Sequence, residues 1–389
     1  LQDPHQSPEP RQGGLRFDRF EVAGAFGDIG TLIPFVVAYA VLAGVAPAGM
    51  LIAFGVAMIA SGLYYRTPFP VQPMKAIGAA ATTQSLHGAA LSAGAVHAAA
   101  LVTGAIWLLL GLTGLTRRVS ALMPPSVARG IILGLGLSFM LDGVAMAVER
   151  WWLGALALAL ALALMRNRVL PAMVALLALG AGVAAVTDPA FLAALRDSRL
   201  EITLPAWTLT GITWDQLAIG LVFLALPQVP LTLGNAVVAV TEIHNAQFPA
   251  RKVSETQVSV STGLMNLAAG AFGGVPMCHG AGGLAGQLRF GARTGGAPVA
   301  LGVLLVLLGL FLSASVAALL GSFPRPVLGV VLFLAGAEVA LGVFYATTRD
   351  EASRFVTLAV AAIGTWNVGV AFLVGLLLQW AFRRGWIRI

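Results

Sequence analysis

The sequence predicts an all-α polytopic membrane protein of about fourteen transmembrane segments, arranged as two inverted seven-segment repeats with the third and tenth segments broken. Three observations carry that prediction. Of 389 residues, 58% are hydrophobic and 10% charged, a balance that excludes an ordinary water-soluble domain. Apolar stretches of roughly bilayer length recur from Phe20 onward, separated by brief charged or Gly/Pro punctuation. Residues of the first half also return in the second, about 200 positions later.

The polar, Pro-rich start LQDPHQSPEPRQGG lacks the apolar core of a signal peptide, so residues 1–20 are expected to form a disordered cytoplasmic leader. The first repeat, 21–187, holds apolar spans at 22–43, 47–64, 70–86, 92–115, 130–147, 151–165 and 169–187. Pro124, Pro125 and Arg129 mark a short interfacial piece between the fourth and fifth. Residues 188–215 are polar and read as an extracytoplasmic connector. The second repeat, 216–389, offers 216–241, 254–272, 275–288, 296–320, 328–346 and a closing short hairpin of 355–366 and 367–382.

The formal charge is +7, from 23 Lys and Arg against 16 Asp and Glu. With the N-terminus in the cytoplasm, 18 of the 23 cations fall on the inner face, Arg150, Arg196, Arg199 and Arg325 on the outer, and Lys75 within a span. The excess therefore encodes orientation, with both termini inside, and a nucleic-acid partner has no basic, aromatic-interleaved surface to use. The single cysteine, Cys278, cannot form an internal disulfide. An integral protein of a bacterial inner (plasma) membrane is the expected setting, with the lipid bilayer as its first partner.

The repeat is carried by three matches in order. Thr31-Leu32 returns as Thr232-Leu233, Pro73-Met74 with Gln84 as Pro276-Met277 with Gln287, and Pro124, Val127 and Gly136 as Pro324, Val327 and Gly336. Seven spans per copy would bring the second copy in from the opposite side, the arrangement of many secondary transporters, whose substrate site lies where broken helices meet near the midplane. Such breaks are visible here. Thr67-Pro68-Phe69-Pro70-Val71-Gln72-Pro73-Met74-Lys75 carries three prolines that cannot all lie inside a helix, and Gly273-Gly274-Val275-Pro276-Met277-Cys278-His279-Gly280 is similarly hostile. A half-helix is expected to start near each Pro-Met pair, and two such N-termini facing one cavity would favour an anion.

Lys75 is then the leading substrate candidate, since an intramembrane cation is costly unless paired or lining a pathway; a structural ion pair or a snorkelling side chain is the alternative. Asp28, in a glycine-rich first span with Pro34 that suggests a loosened helix, could balance Lys75 or carry a coupling proton, or simply cap a helix. Glu338 has the same standing as a proton or gating group, with an arginine pair as its alternative. Gln228 and Asn235, around Pro230 and Gly234, could donate to an oxyanion or make interhelical bonds. Thr31, Gln72, Gln84 and Gln287 share that ambiguity. Cys278-His279 lacks the further ligands of a metal site, so no metal or cofactor is expected and both residues are assigned to the cavity or its backing.

Phe26-Gly-Asp-Ile-Gly-Thr-Leu-Ile-Pro34, Pro70-Val-Gln-Pro-Met-Lys-Ala-Ile77, Pro227-Gln-Val-Pro-Leu-Thr-Leu-Gly-Asn-Ala236 and Gly273-Gly-Val-Pro-Met-Cys-His-Gly-Ala-Gly-Gly283 resemble the molybdate transporter family, a branch of the sulfate permease superfamily. The resemblance covers nearly the whole chain from about Phe20. It implies the fold of uracil permease, with core and gate domains built from fourteen segments, often as a homodimer. It also implies that Asp28, Thr31, Gln72, Lys75, Gln228, Asn235, Cys278, His279 and Gly280 belong to the site. The regulatory domain that typically follows the last span in sulfate permeases is not expected beyond Arg384. A secondary active transporter importing a tetrahedral oxyanion by alternating access, molybdate first, with proton coupling compatible, is the resulting expectation. Sulfate or another anion, a nucleobase symporter and a passive anion channel are the alternatives, and no enzyme constellation is visible.

Overall fold

The computed structural model describes residues 14–37, 39–40, 43–78, 91–122, 124–165, 172–196, 200–341 and 350–387. Its first half runs α1 (Arg19–Val37), α2 (Pro47–Tyr65), a two-residue strand β1 (Gln72–Pro73), α3 (Ala93–Leu112), α4 (Leu115–Leu122), α5 (Pro125–Val148), α6 (Trp151–Leu164) and α7 (Ala172–Thr187), with α8 (Pro189–Arg196) beginning the connector. The second half has the long α9 (Trp214–Gln247), then α10 (Glu255–Ala271), β2 (Met277–Cys278), α11 (Ala281–Arg289), α12 (Gly296–Phe311), α13 (Ser313–Gly321), α14 (Arg325–Leu341), α15 (Glu351–Gly364) and α16 (Val368–Arg383). Among the described residues, four helices are long and apolar enough to cross a bilayer, five if the bent pair α12 and α13 counts as one span. Four further apolar helices among the described residues are shorter, and large hydrophobics such as Leu141, Leu358 and Leu377 stand exposed on the outside, as a lipid-facing surface requires.

Three antiparallel helix pairs form the frame, α2 with α12, α3 with α10, and α5 with α14. Each closes on small residues. A Cβ on Gly136 would stand 2.7 Å from the Gly336 carbonyl, and one on Gly336 would stand 2.6 Å from that of Gly136. Seven residues along, Gly143 and Gly329 meet in the same way, as do Gly55 and Gly302 between α2 and α12. Without a hydrophobic drive between helices in lipid, such backbone approach is what holds them.

Several boundaries differ from the sequence reading. The first helix is not loosened at its glycines: α1 continues through Pro34 to Val37. Pro124, Pro125 and Arg129 are not an interfacial piece but the start of α5, because a proline at the first helical position has no N–H to lose; α4, with Arg117 and Arg118, is the separate short helix before it. The span expected at 296–320 breaks at Leu312, whose φ of −130° leaves the helical region, so α12 and α13 meet at 95°. α9 continues past the expected 241 to Gln247, with wide π turns at Gly220–Ala225 and Thr232–Ala239 that absorb the backbone bonds disturbed around Pro227 and Pro230. The connector crosses helix ends: Thr203 N–H donates to Leu310 and Thr208 N–H to Ala271.

Candidate functional site

The two proline-broken segments meet at the centre. β1 and β2 pair antiparallel, Gln72 opposite Cys278 and Pro73 opposite Met277, and Met74 N–H donates to Pro276 O at 2.9 Å. The two Pro-Met pairs matched by the repeat are thus each other's partners. Proline brings no N–H to a ladder, which keeps this junction to two residues a side. The chain then turns helical on both sides, at 75–78 and at α11, so two helix starts lie beside one junction. Met74, Ile77 and Met277 are fully buried around it.

Side chains reach from one half-helix to the other. A Cβ on Gly282, in the first turn of α11, would lie 3.8 Å from Lys75 Nζ, and a Cβ on Gly280, the N-cap of α11, would fall on Gln72 Oε1. Gln72 is completely buried and Lys75 is 5% exposed. The ammonium therefore stands at the positive end of a helix, where the dipole opposes it unless negative charge joins them.

The other candidates divide. Gln228 Oε1 accepts from Ala76 N–H at 2.8 Å while its Nε2 donates to Thr232 Oγ1 at 2.9 Å, so this amide from α9 caps the first half-helix. Asn235 lies half-buried two turns further along α9, in the second π turn. Both ring nitrogens of His279 are engaged: its Nδ1 bonds Pro70 O at 2.9 Å and its Nε2 the Ser261 hydroxyl at 2.8 Å. Ser261 in turn meets Tyr65 OH at 2.7 Å, and Tyr65 stacks on Phe69. Buried Cys278 lies in β2 opposite Gln72, and buried Gln287 lies in α11. The side chains of Asp28, Thr31 and Glu338, and all of Gln84, fall outside the described residues.

Residues absent from the sequence reading hold the junction. Asn266 of α10 clamps β2 through both backbone groups of Met277, donating to its O at 2.6 Å and accepting from its N–H at 2.9 Å. Ser61 Oγ donates to Phe69 O and Tyr39 OH to Met74 O. Glu21 of α1 accepts from the N–H groups of Arg293, Thr294 and Ala297, fastening the start of α12. Polar side chains in the middle of apolar spans were the available signal, since each must find a partner there.

A family model described as "Molybdate transporter of MFS superfamily" matches residues 20–139 and 220–339, two stretches that begin 200 residues apart. Among curated proteins, the chain is 33% identical to Molybdate transporter 2 of Arabidopsis thaliana, covering 88% of this chain and 82% of that one. It is 30% identical to Molybdate transporter 1 of Chlamydomonas reinhardtii, covering 92% and 90%. Among solved structures, the transmembrane domain of the cyanobacterium bicarbonate transporter BicA superposes with a TM-score of 0.65 at 16% identity over 92% of this chain and 96% of that one. Murine Solute Carrier 26 family member A9, an anion transporter in the inward-facing state, gives 0.68 at 10% identity over 98% and 70%. The fold is therefore of the bicarbonate and Solute Carrier 26 type, whatever superfamily the family description names. These relatives are transporters, not enzymes.

Proposed function

The chain belongs to the molybdate transporter family, and from that premise we propose that it is a secondary active transporter importing a tetrahedral oxyanion, molybdate first, by alternating access. The observation that carries this reading is the junction itself, where buried Lys75 extends its Nζ to the first turn of α11 beside a second helix start. A dianion bound there would face the ammonium and the N–H groups at the start of α11, the Ala76 N–H of the other half-helix being held by Gln228. In this reading Lys75 supplies charge, while Gln72, Asn235, Thr31 and the backbone at Gly280 orient the oxygens. Gln228, Cys278 and His279 shape and brace the same cavity, and Asp28 or Glu338 carries the coupling proton or gates.

We further read the chain as two inverted seven-segment repeats, 21–187 and 216–389, around a connector at 188–215, with residues 1–20 as a leader. Three findings support this: the paired Pro-Met motifs, the contact of Gly136 with its own counterpart Gly336 in an antiparallel pair, and the two matched stretches at an offset of 200. Fourteen segments divided into a core that carries the junction and a gate complete the scheme, with both termini cytoplasmic and a second copy as partner. Import of a dianion against a negative-inside potential costs about 2.3 kcal/mol per charge per 100 mV, which gives proton coupling its purpose.

The test is uptake of labelled molybdate into proteoliposomes, with and without a proton gradient, competed by sulfate, tungstate and uracil. Saturable molybdate uptake competed by tungstate is expected. Competition by uracil alone, or flux that does not saturate, would overturn the assignment in favour of a nucleobase carrier or a channel.

A further inference from the structure

A cavity of about 790 Å³ opens between α2 and α10, behind the junction and apart from Lys75. Its walls are two facing rows spaced every fourth residue, Ile52, Val56 and Ala60 on α2 and Val260, Leu264 and Ala268 on α10. Such spacing places each row on one helix face. The mouth opens sideways, with Val56 and Leu264 exposed along the length of an apolar span, so whatever enters comes from the bilayer rather than from water. The volume lies within the range of roughly 300–1,000 Å³ usual for small-ligand sites.

One end of the groove is lined by polar side chains, and basic residues stand next to that lining in the chain. Tyr65, Gln257 and Ser261 line it, and Tyr65 OH meets the Ser261 hydroxyl at 2.7 Å. Arg66 follows Tyr65 as the left-handed C-cap of α2, with φ 55°. Arg251 and Lys252 lie in the turn before α10, and two bonded pairs draw these chain ends together. Thr67 Oγ1 meets His244 Nε2 at 2.9 Å, and the Asn245 amide bonds Val253 O at 2.9 Å and N–H at 2.8 Å. None of the three cations joins an ion pair among the described residues. Of the nearby carboxylates, Glu242 is exposed on α9, and Glu255 lies in the first turn of α10, where the helix dipole offsets its charge. Three cations against two carboxylates leave the segments next to this end of the groove with net positive charge.

We propose that this groove binds an anionic phospholipid of the bilayer, one acyl chain lying between the two rows and the headgroup phosphate on Arg66, Arg251 and Lys252. The bound chain would rest against Ser261 and Tyr65, which brace His279 and through it the approach to β1, so occupancy would stiffen the junction from behind. The site differs from the anion junction in ligand and in every cation.

The full chain, purified in detergent and incubated with mixed micelles of phosphatidylglycerol or phosphatidylcholine, tests this by native mass spectrometry of retained lipid. Phosphatidylglycerol should be retained roughly tenfold better, the scale expected for a few basic side chains on an anionic headgroup. Replacing all three cations, Arg66→Ala with Arg251→Ala and Lys252→Ala, should bring its retention down to that of phosphatidylcholine, while Ala60→Trp should lower retention of both lipids. Equal retention of the two lipids by the unaltered chain, or unchanged retention in the triple variant, would overturn the proposal. The triple variant leaves every side chain of the groove wall in place and decides the matter even if Ala60→Trp fails to fold.

Discussion

At the scale of single residues, charge and facing direction separate the ligand candidates from their supports. Lys75→Met keeps the length of the side chain and removes the ammonium, so molybdate affinity in a binding titration should fall at least about a hundredfold while the thermal midpoint holds. Retained affinity would remove Lys75 from the site. Asn266→Leu should act oppositely, leaving the Met277 N–H and O without their clamp at a cost of about 1–3 kcal/mol for each buried group, read as a lowered thermal midpoint in detergent. Lys75 stands out in the sequence as a lone cation inside a span, and the structure buries it beside the first turn of α11. The division between Cys278 and His279 was not legible there. In an extended strand neighbouring side chains point to opposite faces, so adjacency in the sequence put one beside Gln72 and turned the other back to Pro70 and Ser261. For Gln228 the sequence leaves open an oxyanion donor or an interhelical bond, and the bond to Ala76 N–H shows the second, as a helix cap.

Elements were legible where their ends carry a chemical mark. Prolines and glycines mark the approaches to β1 and β2, whereas the bend at Leu312, three residues after Gly309, has no proline beside it and no mark that sets that glycine apart from the others in the chain. The glycine seams were invisible for another reason: with 46 glycines in the chain, no single one stands out until its neighbour across the interface is known. Gly136→Ala should force α5 and α14 apart against the Gly336 carbonyl, with a loss of about 1–3 kcal/mol in chemical or thermal unfolding. Gly182, with nothing near its absent side chain, should accept alanine without such a loss. At the start of α15, hydrogen bonds from Ser353 hold the Asp350 carboxyl below the usual carboxylate value. Its contribution is therefore complete above the ordinary aspartate pKa and lost as pH falls through the lower folded value. Asp350→Asn should remove that acid-side dependence from the unfolding profile while leaving neutral-pH transport intact.

For the molecule as a whole, the ends of the elements sort into two groups. Glu149 pairs with Arg325, and Ser322 bonds Asp188, at one end of the helices. At the other, Thr67 meets His244 and Glu21 meets the start of α12. Single cysteines at Glu201 and Ala250 should accordingly react with an impermeant maleimide from opposite sides of sealed vesicles, Ala250→Cys only from the cytoplasmic face, with Cys278 buried and silent; labelling of both from the same side, or of Ala250→Cys from the outer face, would refute the orientation. The strand junction also has a consequence in time. β1 has no partner until Pro276 and Met277 have been synthesised some 200 residues later, an interval of roughly 10–40 s at the rates ribosomes work. During that wait Met74 N–H has no acceptor and Lys75 no helix to reach across to. The first half therefore stays an unfinished bundle for that interval, and slowing synthesis between the two motifs should lengthen its exposure to quality-control proteases.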